Sequence, residues 1–141
     1  MGWIPILWLL AVSSVFAAPT TPERVSPDSI EGSIKVDAEG LIALAEKFQN
    51  LTIIDSRISS DRIQGHIEGS LSLPDEKTNC DVLKQSVAAK TSPVVFYCNG
   101  PKCGRSAIAV QIAVSCGFEN VYWFRGGFEE WKDKKYPYIK E

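Results

Sequence analysis

The sequence has few of the residues that build a metal or dithiol redox centre. It contains one histidine, His66, and its four cysteines include no Cys-x-x-Cys pair. A histidine-rich metal site cannot be assembled from a single histidine, and a zinc ribbon or a thioredoxin-type redox pair is disfavoured. We therefore expect no metal and no cofactor.

The sequence also lacks an excess of positive charge. Its 15 Lys and Arg residues are outnumbered by 17 Asp and Glu residues, which gives a formal net charge of -2. Nucleic-acid binding needs a strong basic excess, so this composition argues against it. With 141 residues, 45% hydrophobic and 23% charged, the chain has the composition of one globular domain.

Lysine and arginine are absent from the first 17 residues, where an apolar run at 4–12 precedes small residues. This pattern predicts a signal peptide cleaved after Ala17 and a periplasmic or secreted protein, although a signal peptide usually begins with a basic residue. The alternative is an uncleaved short anchor, near the lower limit of about 17–25 residues for a membrane span. If the signal is cleaved, no stable membrane insertion is expected. Residues 18–31 are rich in Pro, Thr and Ser and are predicted to be a linker before a domain at 32–141.

An exported protein with four cysteines most simply forms two disulfides. The spacing of Cys80, Cys98, Cys103 and Cys116 does not resemble a disulfide framework, however, and a domain of this size can bury a core without one. Cys116 ends an apolar helical stretch, so we expect it to be a buried core residue. Cys80 follows a predicted helix cap at Asn79, and we assign it no function.

β-prone segments alternate with helical segments along the chain. This alternation predicts an α/β fold in which a central parallel sheet of about five strands has helices on both faces. Ligands of such sheets bind beyond the carboxyl ends of the strands. Strands are predicted at 33–36, 51–54, 70–73, 93–97 and 121–124, and helices at 38–48, 59–64, 81–89, 106–116 and 128–134, the first of them capped by Asp37.

The segment 98–106 follows the most apolar predicted strand and precedes a helix. Loop N–H groups, the positive end of the helix dipole, and the charges of Lys102 and Arg105 would all favour a thiolate at Cys98. Gly100 and Gly104 supply the backbone freedom that a tight loop requires. Cys98 is therefore the candidate nucleophile, and the alternative is that it is only the last buried residue of its strand.

Four segments, in order along the chain, resemble the rhodanese family of single-domain sulfurtransferases. They are the strand ending Ile-Asp-Ser-Arg at 54–57, the Gly-His-Ile-Glu-Gly segment from 65 to the proline at 74, the cysteine loop with Arg105-Ser106, and Gly-Gly-x-x-x-Trp at 126–131. The match covers roughly residues 33–136. It implies a three-layer α/β/α sandwich.

The resemblance also implies an enzyme that carries sulfur as a persulfide on Cys98. The partners would be a small anionic donor such as thiosulfate and a thiol or cyanide acceptor; the resemblance does not identify a protein partner. Asp55, Arg57 and His66 would support the site without contacting substrate, and Trp131 would lie in the core. The residues expected to bind the donor are Lys102, Arg105, Gly100, Gly104 and Ser106.

The loop departs from the family pattern in its length. Ser106 stands eight positions after Cys98 instead of the usual six, and the longer loop contains Cys103. Cys103 is thus an alternative nucleophile, or a partner with which Cys98 cycles between dithiol and disulfide. Two other functions remain open. One is a non-catalytic redox- or sulfur-sensing module holding a Cys98–Cys103 disulfide. The other, a cysteine phosphatase, is disfavoured because its arginine would have to stand at the position of Gly104.

Overall fold

Five parallel strands form one sheet at the centre of the fold, in the order β1-β5-β4-β2-β3. This computed structural model describes Gly2 and residues 25–141. All four residues of β4 are buried because both faces of the central strand are covered. The strands are β1 (Ser33–Lys35), β2 (Thr52–Asp55), β3 (Leu71–Ser72), β4 (Val94–Tyr97) and β5 (Val121–Phe124).

Helices cover both faces of the sheet, which confirms the predicted three-layer α/β arrangement. Val94 and Phe96 of β4 pack in one core cluster with α3 and α4, whereas Val95 and Tyr97 pack in a second cluster with α1 and α5. The helices are α1 (Ala38–Lys47), α2 (Ser59–Gln64), α3 (Cys80–Ser86), α4 (Arg105–Ser115) and α5 (Gly127–Asp133), and a 3-10 turn spans Asp75–Lys77. Within the described residues, no helix has the length and apolar character needed to cross a membrane.

The helix N-termini differ in how they are capped. Asp37 accepts a hydrogen bond from the Gly40 N–H at 2.8 Å, and Asn79 accepts one from the Val82 N–H at 3.0 Å, so both predicted caps are confirmed. No side chain caps α4 after Gly104 or α5 after Gly126. The first N–H groups of a helix have no acceptor within the helix, and in α5 those of Phe128 and Glu129 donate to carbonyls of the loop that follows β4.

The described part of the segment predicted as a linker packs on the domain. Ile30 is buried in the α3–α4 core cluster, and Arg125 donates hydrogen bonds to the carbonyls of Ser26 and Pro27. An apolar anchor and these hydrogen bonds join residues 26–31 to the domain. The predicted signal peptide and the cleavage after Ala17 concern a stretch that, apart from Gly2, lies outside the described residues, and they stay predictions.

A disulfide between Cys80 and Cys116 joins the start of α3 to the end of α4, with the two Cα atoms 5.5 Å apart. Cys116 is only partly buried against the core and is disulfide-bonded, so the expectation of a buried core residue was wrong, as was the argument against a disulfide framework. Spacing along the chain does not reveal that α3 and α4 pack side by side. That packing brings together two cysteines separated by 36 positions.

Replacing Cys80 and Cys116 together by serine should lower the free energy of unfolding by about 2–4 kcal/mol, because the disulfide closes a long loop in the unfolded chain. Urea unfolding followed by tryptophan fluorescence measures this loss. The matched control replaces Cys98 and Cys103, which are 5 positions apart. The double replacement of Cys98 and Cys103 should lower the free energy of unfolding by less, because a disulfide that closes a short loop restricts the unfolded chain less. Equal losses for the two pairs would contradict this origin of the stability.

Candidate functional site

The candidate site lies where β4 ends and the loop to α4 begins. Cys98 is the first residue after the strand and is 1% exposed. Its carbonyl accepts a hydrogen bond from the Phe128 N–H at 2.9 Å, and the Asn99 carbonyl accepts one from the Glu129 N–H at 2.8 Å. The first turn of α5 therefore holds the backbone that follows the strand.

Gly127 makes this contact possible. Its φ of +60° lies in the left-handed region, and a Cβ at this position would collide with the Cys98 carbonyl and the Asn99 backbone. A glycine is thus required where α5 meets the cysteine loop. This close approach explains why Gly127, the second residue of the Gly-Gly pair in the sequence, is a glycine.

A tight turn folds the loop back on itself. The Cys103 N–H donates to the Gly100 carbonyl at 3.0 Å, with Pro101 at the second position, where its fixed φ favours a turn. The Pro101 carbonyl accepts hydrogen bonds from both the N–H (2.9 Å) and the hydroxyl (2.6 Å) of Ser26. The segment before β1 therefore holds the tip of the loop.

This turn places Cys103 beside Cys98, and the two form a disulfide with their Cα atoms 6.1 Å apart. The predicted nucleophile and the alternative nucleophile are thus bonded to each other. In this form the chain offers no thiolate at Cys98, so nucleophilic chemistry at this position requires reduction first.

The residues expected to bind the anionic sulfur donor differ in their surroundings. Arg105 Nη1 donates to Asp75 Oδ1 at 2.6 Å, and its side chain is 38% exposed. Lys102 is exposed on the turn. Ser106 is buried, and its hydroxyl accepts a hydrogen bond from Trp123 Nε1 at 3.0 Å. The Ser106 side chain therefore packs toward the sheet, and its expected role in binding the sulfur donor stays a prediction.

The loop glycines do not supply the backbone freedom expected of them, whereas their expected role in binding the sulfur donor stays a prediction. Gly104 has an ordinary helical φ of −84°, and Gly100 is not among the residues with positive φ. A Cβ at Gly100 would instead collide with the carboxylate of Glu129. That carboxylate is the far end of an exposed, flexible side chain that can move aside, so this clash does not by itself require glycine at position 100.

A buried ion pair supports the site from β2. Asp55 is fully buried, and its Oδ1 accepts a hydrogen bond from Arg57 Nε at 2.9 Å. Its Oδ2 accepts hydrogen bonds from Arg57 Nη2 at 2.8 Å and from the Tyr97 hydroxyl at 3.0 Å. Arg62 Nη1 lies 3.3 Å from the same Oδ2. Arg57 Nη1 also donates to Asn99 Oδ1 at 3.3 Å. The pair thus connects the end of β2 to the residue next to Cys98.

The surroundings of this pair shift two pKa values. Burial, with the nearby Asp55 carboxylate, raises the pKa of Tyr97 to about 12, so its hydroxyl keeps its proton. Burial alone would lower the pKa of Arg57, but the hydrogen bonds and charge of Asp55 outweigh it and raise that pKa. The Arg57 guanidinium therefore stays charged, and the Tyr97 phenol stays neutral.

His66 lies away from the loop and contacts the end of the chain. Its backbone forms a bridge with Ile139 through two hydrogen bonds of 2.9 Å. Its buried Nδ1 has no hydrogen-bond partner within the described residues, and Glu141 Oε1 lies 3.9 Å from it. His66 therefore fixes the C-terminal segment and does not contact the cysteine loop.

Several residues of the site were not identified from the sequence. Asn99 was part of the loop, but nothing indicated its contact with Arg57. Asp75 and Ser26 carry no local pattern that points to the loop, since each reaches it through the tertiary fold. Gly127 alone was marked by a sequence pattern, since it belongs to the Gly-Gly motif.

Comparison with known proteins places this chain beside sulfur-transfer proteins. Residues 37–134 match the family model described as a Rhodanese-like domain. The chain is 33% identical to the thiosulfate sulfurtransferase GlpE of Pseudomonas entomophila over 67% of this chain and 82% of that protein. An uncharacterized protein of Buchnera aphidicola is 28% identical, over 63% of this chain and 60% of that protein's length. The solved BH2092 protein of Bacillus halodurans superposes with a TM-score of 0.68 at 26% identity, over 77% of each chain.

Asp55→Asn should lower the free energy of unfolding by about 3–5 kcal/mol, because it leaves buried Arg57 without its counter-charge. Tyr97→Phe is the matched control. It removes one hydroxyl from the same network but no charge, and should cost about 1–3 kcal/mol. Urea unfolding of both variants gives the comparison. A loss for Asp55→Asn no larger than that for Tyr97→Phe would show that the ion pair does not stabilise the fold.

Proposed function

Because the chain belongs to the rhodanese-like family, we propose that it transfers a sulfane sulfur through a persulfide on Cys98. The donor is a small anion such as thiosulfate, and the acceptor is a thiol or cyanide. The observation that carries this proposal is the position of Cys98, between the end of β4 and the uncapped N-terminus of α4. The name of the Pseudomonas entomophila relative, a thiosulfate sulfurtransferase, supports the same reaction.

The chemistry begins with the reduced loop. The N-terminal N–H groups and dipole of α4 favour the thiolate of Cys98 over the thiol. This thiolate attacks the outer sulfur of thiosulfate, the sulfur–sulfur bond of the donor breaks, and sulfite leaves with the electron pair. An acceptor then takes the outer sulfur of the persulfide and restores the thiolate.

Two cations are available for the anionic end of the donor. Lys102 is exposed on the turn, and Arg105 begins α4. Arg105 already pairs with Asp75 at 2.6 Å, so a donor would share the guanidinium with that carboxylate or displace it. We propose that Asp75 moderates the affinity of the site for anions.

We further propose that the domain works outside the cytoplasm, in a periplasm or as a secreted protein. The apolar N-terminal sequence supports this location. The two disulfides support it as well, since such bonds persist in oxidising compartments.

One observation favours a second candidate function. The Cys98–Cys103 disulfide is the arrangement that a non-catalytic redox- or sulfur-sensing module would hold. Such a module would change its thiol state without transferring sulfur. The two functions differ in whether the reduced loop accepts sulfur from thiosulfate.

Sulfur uptake should be retained in Cys103→Ser and lost in Cys98→Ser. Reduced and desalted Cys103→Ser protein, mixed with thiosulfate, is expected to gain the mass of one sulfur atom at Cys98 and to release sulfite. Intact mass spectrometry followed by digestion locates the added sulfur. The oxidised wild-type protein is the control and should gain nothing. No gain in reduced Cys103→Ser would favour the sensing module.

Arg105→Ala should weaken thiosulfate binding by about 1.5–3 kcal/mol, as expected for the loss of a charged hydrogen bond. Asp75→Asn should act in the opposite direction, because it releases the guanidinium for the donor. The KM for thiosulfate, measured by sulfite release in the presence of a dithiol reductant, separates the two. A KM that rises in both variants would mean that the ion pair positions the loop and that Arg105 does not bind the donor.

A further inference from the structure

We infer that Cys103 is the first acceptor of the reaction, so that the protein releases inorganic sulfide and ends each turnover as the Cys98–Cys103 disulfide. This inference rests on the proposed persulfide at Cys98. It assigns Cys103 a role in the second half of the reaction and defines the reductant that the protein needs.

The loop is built to bring the two sulfur atoms together. The Gly100–Cys103 hydrogen bond closes the turn, and the two hydrogen bonds from Ser26 to the Pro101 carbonyl hold its tip. On the other side, Phe128 holds the Cys98 carbonyl and Arg57 contacts Asn99. Both arms of the loop are therefore fixed, at a Cα separation of 6.1 Å that suits direct bonding between the sulfur atoms.

Proximity gives Cys103 an advantage over acceptors from solution. Its Cα lies 6.1 Å from that of Cys98 on the same loop, whereas an external thiol must first diffuse to the persulfide. Two thiols held in one loop react at an effective concentration far above that of a dilute external acceptor.

The second step balances without an external oxidant. The Cys103 thiolate attacks Sγ of Cys98, and a bond forms between the two Sγ atoms. The bond from Cys98 Sγ to the outer sulfur breaks, and that sulfur leaves with the electron pair as hydrosulfide, carrying one proton. Two thiols lose two electrons in total, and the sulfane sulfur gains them to become sulfide.

A dithiol reductant then restores the loop. Its thiolate attacks Sγ of Cys103, the more exposed residue of the disulfide, and Cys98 leaves as a thiolate near the N-terminus of α4. The second thiol of the reductant releases Cys103. The complete reaction converts thiosulfate and a dithiol into sulfite, sulfide and the oxidised reductant.

A single-turnover experiment tests this role. Wild-type protein is reduced, freed of reductant and mixed with thiosulfate without oxygen; sulfite, sulfide, free thiols and intact mass are then followed. The wild-type protein should release one equivalent each of sulfite and sulfide, lose two thiols and end two hydrogen masses below its reduced form. Cys103→Ser and Cys103→Ala should release sulfite but no sulfide and keep the added sulfur.

The possible failures are distinct. Absence of sulfite release from the wild type and both Cys103 variants would overturn the proposed sulfur transfer itself. Sulfite release with a lasting persulfide on the wild-type protein, and no sulfide, would overturn only the role of Cys103. Equal sulfide release by wild type and the Cys103 variants would also overturn it, because sulfide would then leave without Cys103.

Discussion

The carboxylate of Asp55 is the constraint on which the cysteine loop depends. It is fully buried, and its two oxygens accept hydrogen bonds from Arg57, Arg62 and Tyr97. An uncompensated charge in this position would be costly, so these partners have little freedom to move. Arg57 reaches on to Asn99. The position of Cys98 is thus fixed by a charge at the end of the neighbouring strand as well as by its own strand.

The order and type of the elements could be predicted because each depends on local sequence. The run Val-Val-Phe-Tyr is buried on both faces and forms β4, and Asp37 and Asn79 mark helix starts through their own side chains. The predicted and observed ends of the elements differ by a few residues. The helix predicted at 81–89, for example, ends at Ser86 in the structure. The alternation of apolar strands with helices indicates a parallel sheet with helices on both faces, because such strands must be covered on both sides.

The site was less predictable because its contacts join distant parts of the chain. Cys98 was identified from its place after the central strand. Its bond to Cys103 was only one of several alternatives, and the pairing of Cys80 with Cys116 was not expected. The Arg105–Asp75 ion pair depends on a 3-10 turn that lies 30 positions earlier. Such contacts follow from the packing of whole elements, which local patterns do not specify.

The hydrogen bonds between Ser26 and Pro101 have a practical consequence for defining the functional unit. The family match begins at residue 37, yet the backbone and hydroxyl that hold the loop tip come from eleven residues earlier. A shortened polypeptide cut at the family boundary would retain every strand from β2 onward and both loop cysteines, but not this brace. Its redox behaviour would then describe an unsupported loop, so the relevant measurements are those on a polypeptide that retains Ser26.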